Sequence, residues 1–296
     1  MKHHQNSFHL AGIIPIACQP LDFDMPWHDC MMPLSKGYLL IERAVLECAM
    51  VGCETIWIVC PITIQPLLKS VLGDHIEDPV MFNRTWDDKP RTKKKFIPIY
   101  YVPVHPKDQD TRGSLIWSLI YGAQQADHVC RTMSKWVAPN RFYVAHPYGI
   151  YPFEGLREFR KEISMPRRFI VSTGDFDFRH GYYTGFTFDY SDLKEFRKKF
   201  FQKESRLWDG SSELKDGKYA TKRLPIEKRY TGRYLTLDEV LGETDIKDSL
   251  IVEVEWYYWG DTWEGLRDFY ASHKDLEKPA ELFKQSESNK IGRDED

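Results

Sequence analysis

The 296-residue chain has no apolar run approaching about 18 residues, so no membrane-spanning helix is expected. Its N-terminus, MKHHQNSFHL, starts with charge but lacks an apolar core segment, which argues against a secretory signal. None of its six cysteines (Cys18, Cys30, Cys48, Cys53, Cys60 and Cys130) forms a C-x-x-C pair, so a structural zinc site is not expected. Several lie in apolar segments, where reduced cysteine acts as a small hydrophobe, and a reducing, cytoplasmic setting is expected. Neither sign of charge dominates: 44 acidic residues face 41 basic ones, for a net −3. A globally basic nucleic-acid binder is thereby excluded, although a local basic site is not. The dinucleotide pattern G-x-G-x-x-G, the phosphate-binding G-x-x-x-x-G-K-[ST], the G-x-S-x-G elbow and the zinc helix H-E-x-x-H are all missing. There is no internal repeat and no composition break that reads as a linker.

What the chain does have is an apolar and aromatic supply for a large core. Hydrophobic residues make up 42% and aromatic residues 14%, enough at this length for one sizeable domain. Gly12–Ala17 is a short apolar run, expected to be a buried strand. A proline-bearing loop from Cys18 to Pro33 follows. Tyr38–Val51 then carries Leu39, Leu40, Ala44, Val45, Cys48 and Ala49 at helical spacing, and Gly52 stands where a helix-closing glycine belongs. Thr55–Cys60 is a continuous β-prone run. Strand, helix and strand in this order predict a βαβ unit and a parallel sheet.

The same alternation continues. Helices are expected over Gln65–Leu72, Ser114–Ala126, Phe153–Ile163, Ser191–Gln202, Thr236–Leu241 and Thr262–Ser272. Strands are expected over Phe96–Val104, Arg141–Ala145, Phe169–Thr173, Gly185–Phe188 and Ser249–Trp256. The expected organisation is one α/β domain over residues 1–283, with a mixed, mostly parallel central sheet flanked by helices, and a polar tail over 284–296.

Three segments in order resemble the sugar-nucleotide nucleotidyltransferases, the pyrophosphorylases that join a nucleoside triphosphate to a sugar phosphate. The first runs from Met32-Pro33-Leu34 through Leu40-Ile41-Glu42-Arg43-Ala44-Val45 to Gly52-Cys53-Glu54-Thr55-Ile56-Trp57-Ile58-Val59. The second is Arg112-Gly113-Ser114-Leu115, which looks like the family's turn that approaches the nucleotide. The third is Trp256-Tyr257-Tyr258-Trp259-Gly260-Asp261-Thr262-Trp263-Glu264, similar to the segment that carries a magnesium-binding aspartate and then opens a helix. The resemblance implies a Rossmann-type nucleotidyltransferase domain, with Gly113 and Ser114 near the nucleotide and Asp261 as a catalytic, metal-holding residue. It also implies Mg2+ as cofactor if the protein is active, a nucleoside triphosphate and a sugar phosphate as ligands, and a second copy or protein assembly as a partner.

The departures from that family bear on chemistry. Its glycine-rich, arginine-bearing first loop wraps the triphosphate with backbone N–H groups. Here Cys18-Gln19-Pro20-Leu21-Asp22-Phe23-Asp24 has no glycine and no cation, and Pro20 lacks a donor. Asp29 stands where the family has a lysine. His146-Pro147-Tyr148-Gly149 stands where it has its first metal aspartate. Two carboxylates around one magnesium neutralise the charge that builds up in nucleotidyl transfer, so losing one of them predicts weak or absent turnover.

Other residues offer alternatives. Asp175 and Asp177, in Gly174-Asp175-Phe176-Asp177, can serve as metal ligands as D-x-D motifs do in related glycosyltransferase folds, or can belong to a turn between two strands. Asp22, Asp24, His28 and Asp29 form either a ligand loop or a capped polar loop. Arg91 and Lys93 to Lys95 are a phosphate-contacting run or a solvated one. Trp256 to Trp259 stack either on a ligand or on the core. His3, His4 and His9 read as terminal surface rather than metal ligands. Two functions therefore stand side by side: a nucleotidyltransferase with a remodelled site, and a binding or structural module on the same fold. The chain's overall likeness to proteins encoded by tailed phages of marine cyanobacteria implies, for the second, a role in the virus particle or in takeover of the host.

Overall fold

The computed structural model describes residues 8–16, 25–82, 95–133, 138–204, 232–273, 276 and 283–284. Expectations for His3, His4, Cys18, Pro20, Asp22, Asp24, Arg91, Lys93, Lys94 and the tail beyond Lys284 lie outside them.

In chain order the first elements are β1 (Leu10–Pro15), β2 (Pro33–Ser35), β3 (Tyr38–Leu39), α1 (Leu40–Val51), β4 (Thr55–Cys60), α2 (Gln65–Leu72), β5 (His75–Glu77) and α3 (Pro79–Phe82). They are followed by β6 (Phe96–Pro103), α4 (Pro106–Thr111), α5 (Leu115–Met133), β7 (Arg141–Val144), β8 (Gly149–Ile150) and α6 (Arg160–Ile163). The remainder is β9 (Phe169–Ser172), β10 (Phe186–Phe188), α7 (Tyr190–Glu204), α8 (Leu237–Leu241), β11 (Leu250–Glu253), β12 (Tyr258–Trp259), α9 (Trp263–Ser272) and β13 (Phe283–Lys284). One nine-stranded sheet, ordered β11-β9-β10-β7-β1-β4-β6-β5-β13, forms the centre. β1, β4, β6 and β7 are parallel, while β5 and β10 pair antiparallel with their neighbours. This is a single α/β domain with a mixed, mostly parallel sheet, and β1 and β4 are neighbours in the register Ala11↔Thr55 to Pro15↔Val59.

Every residue of β1 is buried because helices cover both faces of the sheet. Gly12 faces α1, where an added Cβ would lie 2.7 Å from Cys48 Sγ, so the helix sits close only because no side chain intervenes. Ile13 points the other way, toward Gly122 of α5. α1 ends as its sequence predicts. Gly52 adopts the left-handed conformation at φ 93°, donates to Ala49 O and Cys48 O, and leaves Cys53 N to donate to Cys48 O.

Some boundaries differ from the periodicity. Tyr38 and Leu39 are extended and pair with β2, and the helix begins at Leu40, with the Leu39 N–H capped by Glu42 at 2.9 Å. The apolar spacing of α1 suggests one buried face, yet all twelve of its residues are buried. Phe153–Ile163 is mostly a tight 3-10 turn, Glu154–Phe159, and only Arg160–Ile163 is α-helical. The strand expected to Trp256 stops at Glu253, where its pairing with β9 ends. No helix among the described residues is long and apolar enough to cross a membrane.

Candidate functional site

Ligand sites of open α/β sheets lie beyond the carboxyl ends of the strands. Here the chain leaving β1, β6 and β7 rises at one edge: Ile16 N donates to Val59 O, Val104 N to Cys60 O and Ala145 N to Ile13 O. Over this edge folds the segment from Met25. Its short turn Asp29–Met31 is capped by His28, whose Nδ1 accepts from Cys30 N at 3.3 Å. Burial lowers the His28 imidazole to about 4, so the ring is neutral. Burial also raises the Cys30 thiol, with Cys60 at the end of β4 adding to the shift. Burial pushes Cys60 up to about 12. These thiols are packing groups, not nucleophiles.

The end of β7 and the segment around Asp261 meet directly. Tyr258↔Ile150 and Trp259↔Gly149 pair β12 with β8, and Gly260 N donates to Tyr148 O at 2.6 Å. Asp261 is half-buried, one residue before Thr262, which caps α9 through Gly265 N at 3.1 Å. Tyr148 is wholly buried between these parts. Burial pushes its hydroxyl well up, and Cys30, Asp29, Tyr183 and Asp261 add to the shift. The structure therefore brings Asp29, Tyr148 and Asp261 into one neighbourhood. At the end of β7 the chain carries His146 and Tyr148 rather than a carboxylate.

Beneath lies a polar network that sequence reasoning missed. Arg43 and Glu47, one turn apart on α1, form an ion pair of 3.0 Å at 2% and 0% side-chain exposure. Tyr143 and Tyr151 each donate to Glu47 Oε1 at 2.6 Å, and Gly185 N donates to the Tyr151 hydroxyl. The Arg43 guanidinium lies 4.2 Å from the Tyr151 ring centre and donates to His146 O at 3.3 Å. Burial raises the Glu47 carboxyl, and Arg43 and the hydrogen bonds from Tyr143 and Tyr151 act against that rise. His146, itself fully buried, is lowered to about 3 by burial and by Arg43, so its ring is neutral. The trace of this network in the sequence is an i, i+4 Arg–Glu pair in a mostly apolar helix whose other charged residue is Glu42.

The remaining residues singled out in the sequence are placed as follows. Asp175 is exposed in a tight turn in which Thr173 and Phe176 exchange main-chain hydrogen bonds of 2.9 and 3.1 Å, with Gly174 at φ 56°. Asp177 is buried and caps the turn Phe178–His180. Its Oδ1 accepts from Arg179 N at 2.8 Å, and both of its oxygens are engaged by the Arg179 guanidinium. A run of rings links this turn to the Asp261 segment: Phe176 stacks on Tyr182 at 5.0 Å, and Tyr182 meets Trp259 at 4.8 Å. Gly113 and Ser114 are buried at the start of α5, where Ser114 Oγ accepts from Trp117 N at 3.4 Å. Their neighbour Arg112 is held by Glu204 at 2.8 Å and Asp108 at 2.9 Å, beneath the end of α7. Lys95, the described end of the basic run, is 3.8 Å from Glu54. His9 is buried, with its Nε2 3.0 Å from Thr55 Oγ1, which corrects its reading as terminal surface.

Among the described residues, the donor set does not fit a resident magnesium ion. That ion takes oxygen ligands in a near-octahedral shell. At the end of β7 the chain offers a buried imidazole and a phenol, and among the described residues no group of three His, Cys, Asp or Glu side chains is placed to hold a metal.

No family model matches the chain, and no curated protein matches it in sequence. Solved structures do. A Bacillus anthracis protein named as a glucose-1-phosphate thymidylyltransferase, solved with sucrose, superposes with a TM-score of 0.53 at 10% identity over 92% of this chain and 97% of that one. A UDP-glucose pyrophosphorylase solved with UDP-glucose gives a TM-score of 0.50 at 8% identity, over 90% of this chain and 98% of that one. At such identities the likeness is one of fold: the chain is nucleotidyltransferase-like in architecture.

Proposed function

We propose that the cleft over the carboxyl ends of β1, β4 and β7 binds a nucleotide or a sugar phosphate, and that turnover there is weak or absent. In this reading Asp261 is the acidic group that meets the ligand. Gly113 and Ser114 present the N-terminus of α5 toward the phosphates, Asp175 borders the entrance, and Asp177 keeps the entrance turn in shape. The observation that carries the reading is the meeting of Asp29, Tyr148 and Asp261 at the end of β7, with a neutral histidine where the resemblance puts the first metal aspartate. Without that charge and without a cationic loop, electrostatic stabilisation of a transferring phosphoryl group is largely missing. A binding module is the second reading, favoured by the aromatic run from Phe176 to Trp259 beside Asp261.

Pyrophosphate release from a panel of nucleoside triphosphates and sugar 1-phosphates, with Mg2+ supplied, tests the proposal. The expected result is little or no release. Robust release that Asp261→Ala abolishes would overturn the weak-turnover reading. Calorimetry with the same triphosphates, with and without Mg2+, separates a binding module, which gives heat without turnover, from a purely structural role, which gives none.

A further inference from the structure

A second concavity lies on another flank of the molecule. β6 is an inner strand only for part of its length. β5 covers its outer side over Phe96 to Pro98, and Asp74 O then accepts from Ile99 N at 2.8 Å. Beyond Ile99, no strand among the described residues pairs with that side. A groove of about 580 Å³ runs along this open edge, between α2 and α5. That is within the size range of small-molecule sites, about 300–1,000 Å³.

The walls say what fits. Trp57 and Tyr100 are cross-strand neighbours and stack at 4.5 Å with 27° between their planes. Trp57 is buried, and its Nε1 is engaged by Thr55 Oγ1, so it serves as backing. Tyr100 is 41% exposed and presents its ring to the groove. Lys69, 5.7 Å from the Tyr101 ring centre, Asp74, whose Oδ1 is 2.6 Å from His75 Nδ1, and Gln125 line the same groove, with one cation and one anion among them. Because Val104 N points inward to Cys60 O, alternation turns the main-chain N–H and C=O of Tyr101 outward into the groove.

These features exclude several occupants. The charges balance, so no polyanion is favoured. The polar rim disfavours a lipid. Strand addition needs a row of donors, but at the outward positions Pro103 has none and the Ile99 N–H is taken, which leaves Tyr101 alone. One exposed aromatic face without a second ring opposite suits a pyranose. Its C–H face is apolar and its hydroxyls radiate in the ring plane toward hydrogen-bonding groups.

We propose that the open edge of β6 is a neutral-saccharide site, with a pyranose ring on Tyr100 and its hydroxyls served by Asp74, Gln125 and the main chain of Tyr101. The site is separate from the cleft at Asp261, since β4 and β1 lie between β6 and β7.

Calorimetry and saturation-transfer NMR with glucose, mannose, maltose and sucrose test this on the full chain. At least one sugar binds saturably. Tyr100→Ala weakens that binding about tenfold or more, Tyr100→Phe preserves it, and Asp74→Asn weakens it about threefold. Asp261→Ala leaves it unchanged, which keeps this result distinct from the fate of the cleft. Circular dichroism of each variant confirms the fold. No saturable binding by any of the four sugars overturns the proposal. So does binding indifferent to Tyr100→Ala, binding lost in Asp261→Ala, or occupancy of the groove by a nucleoside or peptide instead.

Discussion

At the end of β7, Arg43, Glu47, Tyr143 and Tyr151 are buried and bonded to one another. At the outer edge of β6, Tyr100, Lys69 and Asp74 are exposed and face a groove. The two regions use nearly the same residue types: two tyrosines at one, Tyr100 and Tyr101 at the other, with a cation and an anion at each. They differ in what surrounds them. In the first, helix α1 and the turn Glu154–Phe159 exclude water, so each polar atom must find a protein partner or go without one. In the second, Tyr100, Lys69 and Asp74 reach the surface, although Asp74 Oδ1 lies 2.6 Å from His75 Nδ1 and the Tyr101 hydroxyl donates to Gly73 O, so it is the exposed ring of Tyr100 that is open to a ligand. The comparison teaches that a cluster of chemistry-bearing side chains is a scaffold or a site according to its access, not its composition.

The largest expected effect comes from breaking the closed region. Glu47→Gln leaves the Arg43 charge buried without its counter-ion and is expected to destabilise the fold by about 3–5 kcal/mol, measurable by urea unfolding. A loss below about 1 kcal/mol would mean that water reaches Arg43 and that the contrast with β6 is false.

Acid is the second lever. His146 is held at about 3 when folded, by burial and by Arg43, against an ordinary imidazole value of 6.5. The unfolded chain therefore binds a proton that the native chain refuses. Stability from this group is complete above about pH 6.5 and falls as pH drops toward 3, by up to about 1.4 kcal/mol per pH unit. His28, lowered to about 4, acts in the same direction. His146→Phe should flatten the slope between pH 6 and 4 in unfolding experiments. An unchanged slope would place the titration elsewhere.

A smaller effect is expected at Asp177, in the turn that follows β9. Asp177→Ala is expected to lower stability by about 1 kcal/mol, the usual effect of losing a helix cap. It should leave the binding of any nucleotide in the cleft unaltered, because both oxygens are already engaged by Arg179. Loss of binding with stability intact would make it a ligand instead. The smallest effect is expected at the open edge, where Tyr100→Ala should change stability by no more than about 0.5–1 kcal/mol, the scale of one cross-strand aromatic pair. A larger loss would mean that Tyr100 is part of the core.

How far the sequence could be read differs from element to element. β4 and α2 fall where their apolar runs predict, because local periodicity and flanking glycines set them. The cap at Gly52 was legible for the same reason. β5 and β13 were not, since such short strands are held by their neighbours rather than by any pattern of their own. Of the candidate site, the Asp261 segment was singled out by its motif. The network around Glu47 was not, because Tyr143, Tyr151 and Gly185 lie about a hundred or more residues away in the chain.

By itself the sequence determined the alternation of strand and helix, the parallel pairing of β1 with β4, and the missing cations of the first loop. These follow from side-chain periodicity and from residue identity, which need no partner to be read. Only the tertiary structure decided that Asp175 sits in a turn and Asp177 in a cap, that His146 is sealed and neutral, and that β6 keeps an open edge. Each of those outcomes depends on which distant segments exclude water from a given group, and that exclusion is a property of the packed chain, not of any stretch within it.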